Sequence, residues 1–216
     1  MNPDFAIILN FKLASSSNDV ADKLVKTARD IGVRAISGDK FLRPACEKYT
    51  IKLVSEQASD TEINSENIID KLVNNRKQNL VTVIDITPDK NGNFTEDDAK
   101  LLHKINDWMH MFGHAFNEAE ESNLTVNTDG FILKNRHATY QKYLFMKSPL
   151  PEKVEVKGLS EEPNRIEWIE DRRELDFKFK NKVLTINLTD LPNNFEWQII
   201  RIQAHRPEDD LEDTKF

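Results

Sequence analysis

Two hydrophobic periods divide this chain, and the change from one to the other constrains its fold more than any single motif. Up to about Glu120, short apolar runs alternate with stretches in which apolar residues recur every three or four positions. Beyond Ser122 they recur at every second residue, as in Tyr143 and Phe145, Val154 and Val156, Ile166 and Trp168, or Leu184 and Ile186. The first pattern belongs to strands and helices in turn, the second to antiparallel strands with an inner and an outer side. A length of 216 residues is enough for two cores, in domains of about 100 residues each.

The most informative stretch of the first part is Asn79 to Glu120. Leu80, Val81, Val83, Ile84 and Ile86 make a β-branched run suited to a strand covered on both faces. Pro88 and Gly92 close it, and Thr95 is placed to cap a helix, with Asp98 three residues on and Glu96 and Asp97 near its positive end. From there Leu102, Ile105, Met109, Phe112 and Phe116 form an apolar stripe of about five turns, widened by Leu101 and Trp108. Earlier units follow the same order. Phe5–Phe11, Val33–Ser37 and Ile51–Val54 read as strands. Helices are expected after the caps Ser15–Ser17, from Pro44 to Tyr49, and after a cap at Ser65, with Glu56–Asn64 as a loop. The alternation βαβαβαβα favours a parallel sheet with right-handed crossovers. In the second part, turns at Ser148-Pro149, Pro163-Asn164, Asn181 and Pro192-Asn193-Asn194 punctuate about six to eight strands of a β-sandwich with one dry face.

Specific residues carry a resemblance to a known family. Pro88, Gly92, Trp108, Gly113, Ala115 and Phe116 fall in the order found in the last βα unit of the family-29 glycoside hydrolases, the α-L-fucosidases. Asn18–Phe41 resembles the first helix and strand of their barrel, and Tyr140–Gln203 resembles the β-sandwich behind it. The departures fall on polar positions: Asp85 stands where the family usually has Asn, Thr87 replaces Gly, Phe112 replaces Asn and His114 replaces Glu. Ser37-Gly38-Asp39-Lys40-Phe41 stands where the family has a pair of sugar-contacting histidines. The strand that bears the family's nucleophilic carboxylate has no counterpart. The resemblance therefore implies a barrel that has kept its ends and lost its centre, since a full one needs about 200 to 250 residues. The expected fold is α/β plus all-β: a reduced four-stranded parallel βα layer over 1–121, like part of a TIM barrel, then an antiparallel β-sandwich over 122–206 and an acidic tail at 207–216.

Charge and composition narrow the partners. A net charge of -7 argues against nucleic acid and against anionic membranes, because phosphate binding needs clustered Lys and Arg. No apolar run approaches the roughly 20 residues that span a bilayer. Cys46 is the single cysteine, so no intrachain disulfide can form, and core packing is its expected fate. The run Phe5–Phe11 is too short and lacks the basic leader of a signal peptide, so cytoplasmic residence is the expectation. The acceptor patterns at Asn93, Asn123 and Asn187 then read as chance matches to the glycosylation signal.

The candidate chemistry is sparse. In a parallel sheet the productive place is the crevice at the strand C-termini, where Asn10, Lys12, Asp39, Lys40 and Asp85 are the candidate ligand-binding residues. Glycoside hydrolysis uses two carboxylates about 5 to 10 Å apart, and Asp39 with Asp85 is the candidate catalytic pair, although capping or a surface ion pair explains both. His110 and His114 have metal-chelating i, i+4 spacing. They share a stripe with His103 and Asp107 that points away from the apolar face, as a solvated helix surface would. Asp89, Asn91 and Asn93 suggest a calcium loop, but Gly92 is misplaced and Lys100 stands where a Glu is needed, so a turn before a helix cap is the reading. No metal and no cofactor is expected. Trp108, Trp168 and Trp197 could stack on sugar, but core roles fit their register better. The preferred expectation is a fucosidase-like protein without catalysis that binds a carbohydrate or a partner protein. The alternatives are an active α-L-fucosidase-like glycosidase with a rebuilt or subunit-shared pocket, and a structural subunit of a homo-oligomer, since half a barrel exposes sheet edges.

Overall fold

The structure is a computed structural model that describes residues 5–13, 17–189, 191–192 and 194–204. It divides into two compact units, one ending at Asn117 and the other beginning at Glu118. The expected acidic tail lies outside the described residues. The first unit alternates β1 (Ile7–Phe11), α1 (Asn18–Asp30), β2 (Ala35–Ser37), α2 (Arg43–Tyr49), β3 (Lys52–Val54), α3 (Ile68–Lys77), β4 (Thr82–Ile86) and α4 (Glu96–Asn117). Its four strands form one parallel sheet in the order β3-β2-β1-β4. The fold is the α/β plus all-β arrangement that the two periods indicate.

Local chemistry fixes the helix ends. Val20, Leu24, Val25 and Ala28 bury one side of α1. Gly32, at φ +82, then turns the chain out of it, and a Cβ there would press on Met109 at 3.3 Å. The Ser17 side chain makes no capping bond, and Ser15 and Ser16 lie outside the described residues. Thr95 caps α4 as expected, its Oγ1 accepting from the Asp98 backbone N–H at 3.1 Å. The cap expected at Ser65 is displaced: α3 starts only at Ile68, after a turn in which Asn64 Oδ1 accepts from the Glu66 and Asn67 N–H groups. An asparagine oxygen reaching two backbone donors outcompetes the serine. In α4, Trp108 packs edge-on to Phe116 and tilted on Phe112 within a buried stripe.

The second unit holds β5 (Ala119–Glu121), β6 (Thr125–Val126), β7 (Phe131–Asn135), β8 (Gln141–Lys147), β9 (Lys153–Lys157), β10 (Pro163–Trp168), β11 (Phe177–Lys180), β12 (Val183–Asn187) and β13 (Trp197–Ala204). They form a five-stranded sheet, β10-β13-β8-β7-β5, and a four-stranded one, β11-β12-β9-β6. Leu144, Ile166, Trp168 and Ile200 from the first meet Val154, Val156, Leu184 and Ile186 from the second in one buried cluster, so the two pack face to face. Three expectations are corrected. Nine strands are present among the described residues rather than six to eight, because β5 and β6 are too short to show a period. The boundary falls after Asn117 rather than Glu121, because Ala119–Glu121 pairs with Asn135–Leu133 and so belongs to the sandwich. The five-stranded sheet also has two dry faces, since Tyr143, Phe145, Trp197 and Ile199 are buried opposite the inter-sheet cluster.

Candidate functional site: the crevice between the first and fourth strands

The strand order of the first unit selects one place for a site. β1 leads by α1 to β2 on one side, whereas β4 returns to the other side of β1. The chain thus leaves β1 toward one side and returns on the other, and in open parallel sheets ligands sit beyond the C-terminal ends of the strands at such a switch point. On one face of the sheet, register aligns Ile8 with Ala35 and Val83 in an apolar layer. Two residues nearer the C-terminal ends, Asn10 aligns with Ser37 and Asp85. Because strand side chains alternate, this is a polar layer on the same face.

The polar layer is a continuous hydrogen-bond chain. Ser37 Oγ donates to Asn10 Oδ1 at 2.8 Å, Asn10 Nδ2 donates to Asp85 Oδ1 at 2.6 Å, and Ser59 Oγ donates to Asp85 Oδ2 at 3.0 Å. Ser37 and Asn10 are almost fully buried, whereas the Asp85 side chain is 41% exposed. Lys12 Nζ lies 3.9 Å from Asp85 Oδ1 and donates to Glu56. That bond raises the Lys12 pKa, with burial working against it, and lowers that of Glu56. Both groups are solvated, so the pair adds little to stability.

The segment expected as a free loop is part of the site. Asp60 donates its backbone N–H to the Val83 carbonyl and accepts the Val83 N–H on Oδ2, both at 2.9 Å. The outer edge of β4 is thereby covered, which removes one of the sheet's two free margins. Asn75 Nδ2 reaches the other Asp60 oxygen at 3.3 Å and Thr82 Oγ1 at 3.0 Å. Between this segment and the start of α4 lies a cleft of about 500 Å³, lined by Ser59, Asp60, Glu62, Asp85, Asp97 and Asp98 among others. Its wall is rich in hydrogen-bond acceptors. Asp97 and Asp98 sit in the first turn of α4, where negative charge is favoured.

Of the candidates read from the sequence, Asn10, Lys12 and Asp85 come together. Asp39 and Lys40 lie beyond β2, two strands from Asp85. Asp39 caps a single 3-10 turn at Lys40–Leu42 through the Phe41 N–H at 3.0 Å, the capping role that competed with catalysis. His103, Asp107, His110 and His114 are exposed on α4. Among the described residues, no group of three His, Cys, Asp or Glu side chains is arranged to hold a metal ion. Asp89 closes a turn with Asn91 and Asn93, and hydrogen bonds from the Asn93 backbone and side chain lower its pKa. Cys46 is buried, and burial pushes its thiol up to about 11. Trp108, Trp168 and Trp197 are all core residues. Ser37, Glu56, Ser59 and Asp60 are the participants that sequence reasoning missed. Register with Asn10 could have revealed Ser37, but nothing local marks the long-range pairing of Asp60. Among the described residues, no helix is long and apolar enough to cross a membrane.

No protein-family model and no curated protein matches the sequence. Solved structures do. The chain is similar to α-L-fucosidase isoenzyme 1 from Paenibacillus thiaminolyticus, with a TM-score of 0.55 and 14% identity over 92% of this chain and 58% of that one. It is similar to a family-29 α-L-fucosidase from Bacteroides thetaiotaomicron captured as a covalent intermediate, with a TM-score of 0.51, 13% identity, and coverage of 78% of this chain and 37% of that one. The Thermotoga maritima α-fucosidase gives a TM-score of 0.51 and 13% identity, over 78% of this chain and 39% of that one. The chain thus spans between 37% and 58% of the length of these enzymes, and the likeness is one of fold.

Proposed function

We propose that this fucosidase-like fold, shorter than the enzymes it matches, is a binding protein without glycosidase activity, and that it takes a carbohydrate in the crevice between β1 and β4. The single observation that carries the reading is the chain Ser37–Asn10–Asp85–Ser59. In a catalytic (β/α) barrel, strand-end residues are offered to the substrate, whereas here they spend their polar groups largely on one another. Asp85 still presents a half-exposed carboxylate, and the cleft beside it is walled by further acceptors suited to sugar hydroxyls. Asp60 has both oxygens engaged by Val83 and Asn75, so it serves the fold rather than a ligand.

Binding of the purified chain to arrayed fucosylated glycans, lost in Asp85→Ala, supports the proposal. A flat response across sugars removes its carbohydrate half and leaves a partner protein as the ligand to seek. A second reading, a structural subunit in a homo-oligomer, is favoured by β3, whose outer edge pairs with no further strand among the described residues. Sedimentation as a monomer at micromolar concentration eliminates it. Residence in the cytoplasm belongs to the same proposal and is tested by cell fractionation.

A further inference from the structure

A second cavity lies at one end of the sandwich, apart from the crevice. It holds about 90 Å³ and is walled by Leu124, Leu159 and Ile202 on its aliphatic side, with Lys142 and Ser160 on its polar side and Glu161 alongside. Gly158, at φ +101, brings the β9–β10 connection against Leu124, where an added Cβ would stand 3.2 Å from Leu124 Cδ2. The aliphatic wall is therefore closely packed, and it surrounds one cationic group. The Lys142 ammonium carries three donors. One goes to the Thr139 carbonyl at 2.6 Å, and the other two have no hydrogen-bond partner among the described residues. Burial lowers the pKa of Lys142, with Glu161 acting in the opposite sense and Lys134 adding to the drop. Among the described residues, the half-buried ammonium thus keeps two donors for a ligand beside the alkyl wall, with Glu161 on the same lining.

We propose that this cavity binds a short aliphatic carboxylate, with the carboxylate on Lys142 and the alkyl chain against Leu124, Leu159 and Ile202. The cavity is too small for more than a few carbon atoms, which excludes long acyl chains. A free short-chain acid and the C-terminus of a peptide ending in a small aliphatic residue share this chemistry. The site stands independently of the crevice and of its ligand.

The test titrates the full chain with butyrate, N-acetylvaline and butyramide, following backbone amide shifts around Leu159 by NMR. Butyrate binds with a dissociation constant on the order of 1 mM, as suits a ligand of so few atoms. Butyramide, equal in shape but uncharged, binds about tenfold more weakly because the charge-assisted hydrogen bond is gone. This comparison needs no variant, so misfolding cannot imitate it. Tighter binding of N-acetylvaline than of butyrate assigns the site to a peptide terminus, and the reverse assigns it to a free acid. Lys142→Met, checked for an unchanged melting temperature, abolishes the preference for acid over amide. Equal binding of butyrate and butyramide, no binding of either acid, or full binding by Lys142→Met overturns the proposal.

Discussion

The two units of this molecule keep their buried polar groups in opposite ways. In the first unit they stand in a layer at the C-terminal ends of the strands, beside a cleft, and end in the half-exposed Asp85. In the sandwich the corresponding group is Glu167, 1% exposed on β10, with Arg201 opposite it on β13 and Arg165 and Arg172 beside it. One carboxylate is presented and the other is enclosed. The difference separates a polar arrangement that can serve a ligand from one that serves the fold. Substitutions in the two places should therefore divide cleanly between binding and stability.

The largest effect belongs to the enclosed carboxylate. Glu167→Gln leaves the Arg201 side chain beside a neutral amide, and chemical denaturation should show a loss of about 3 kcal/mol, the usual result of breaking a buried pair from one side. A loss below about 1 kcal/mol would mean that Glu167 is as dispensable as a surface acid, and the contrast would collapse. Asp60→Ala removes the acceptor for the Val83 N–H and frees the segment that covers β4. It should cost about 1 to 2 kcal/mol and raise amide exchange at Val83 while leaving the sandwich protected. Thr95→Ala deletes the cap of α4, with an expected loss of about 1 kcal/mol. Asp85→Asn should change stability by no more than about 0.5 kcal/mol, as for other partly exposed positions, while reducing uptake of the crevice ligand.

The smallest effect is one of pH. Asp22, Glu56 and Asp89 in the first unit have carboxyl groups held below their ordinary values, whereas in the sandwich Asp171 is the one such carboxylate among the described residues. The causes in the first unit are hydrogen bonds from Lys48 and then Tyr49, from Lys12, and from Asn93 respectively. A depressed carboxylate adds stability that is fully present above its unfolded pKa, about 3.9 to 4.3, and lost as pH falls through the folded one. The first unit should accordingly lose amide protection below about pH 4, and added salt should reduce the effect because these groups are exposed. Earlier loss in the sandwich would show that the surface pairs do not decide which unit yields first.

How much of this was legible in the sequence differs between the units for physical reasons. Within Asn79–Glu120 the β-branched run disclosed β4 and the helical spacing α4, because each buries a regular pattern, and the Thr95 cap is local chemistry. Asn10 and Asp85 were readable as strand-end residues. Their direct bond was not, because it depends on β4 lying next to β1 rather than β3. That order agrees with the resemblance, since in a closed barrel the last strand lies beside the first. Glu167 and Arg201 were overlooked although each stands between two apolar residues of its strand, Ile166 and Trp168, Ile200 and Ile202. Alternation places both on the face opposite the inter-sheet core, and a charge held there on each of two strands was the available signal. The 117–118 boundary was hidden because Ala119 is the one inward residue of a three-residue strand.

The central proposal is that strand-end polar groups satisfied by one another do not support glycoside hydrolysis. The direct measurement is nitrophenol release from an aryl α-L-fucoside by the purified full chain, with Asp85→Asn alongside. The account predicts no release above the buffer blank from either protein. Turnover by the unaltered chain that disappears in Asp85→Asn would contradict it.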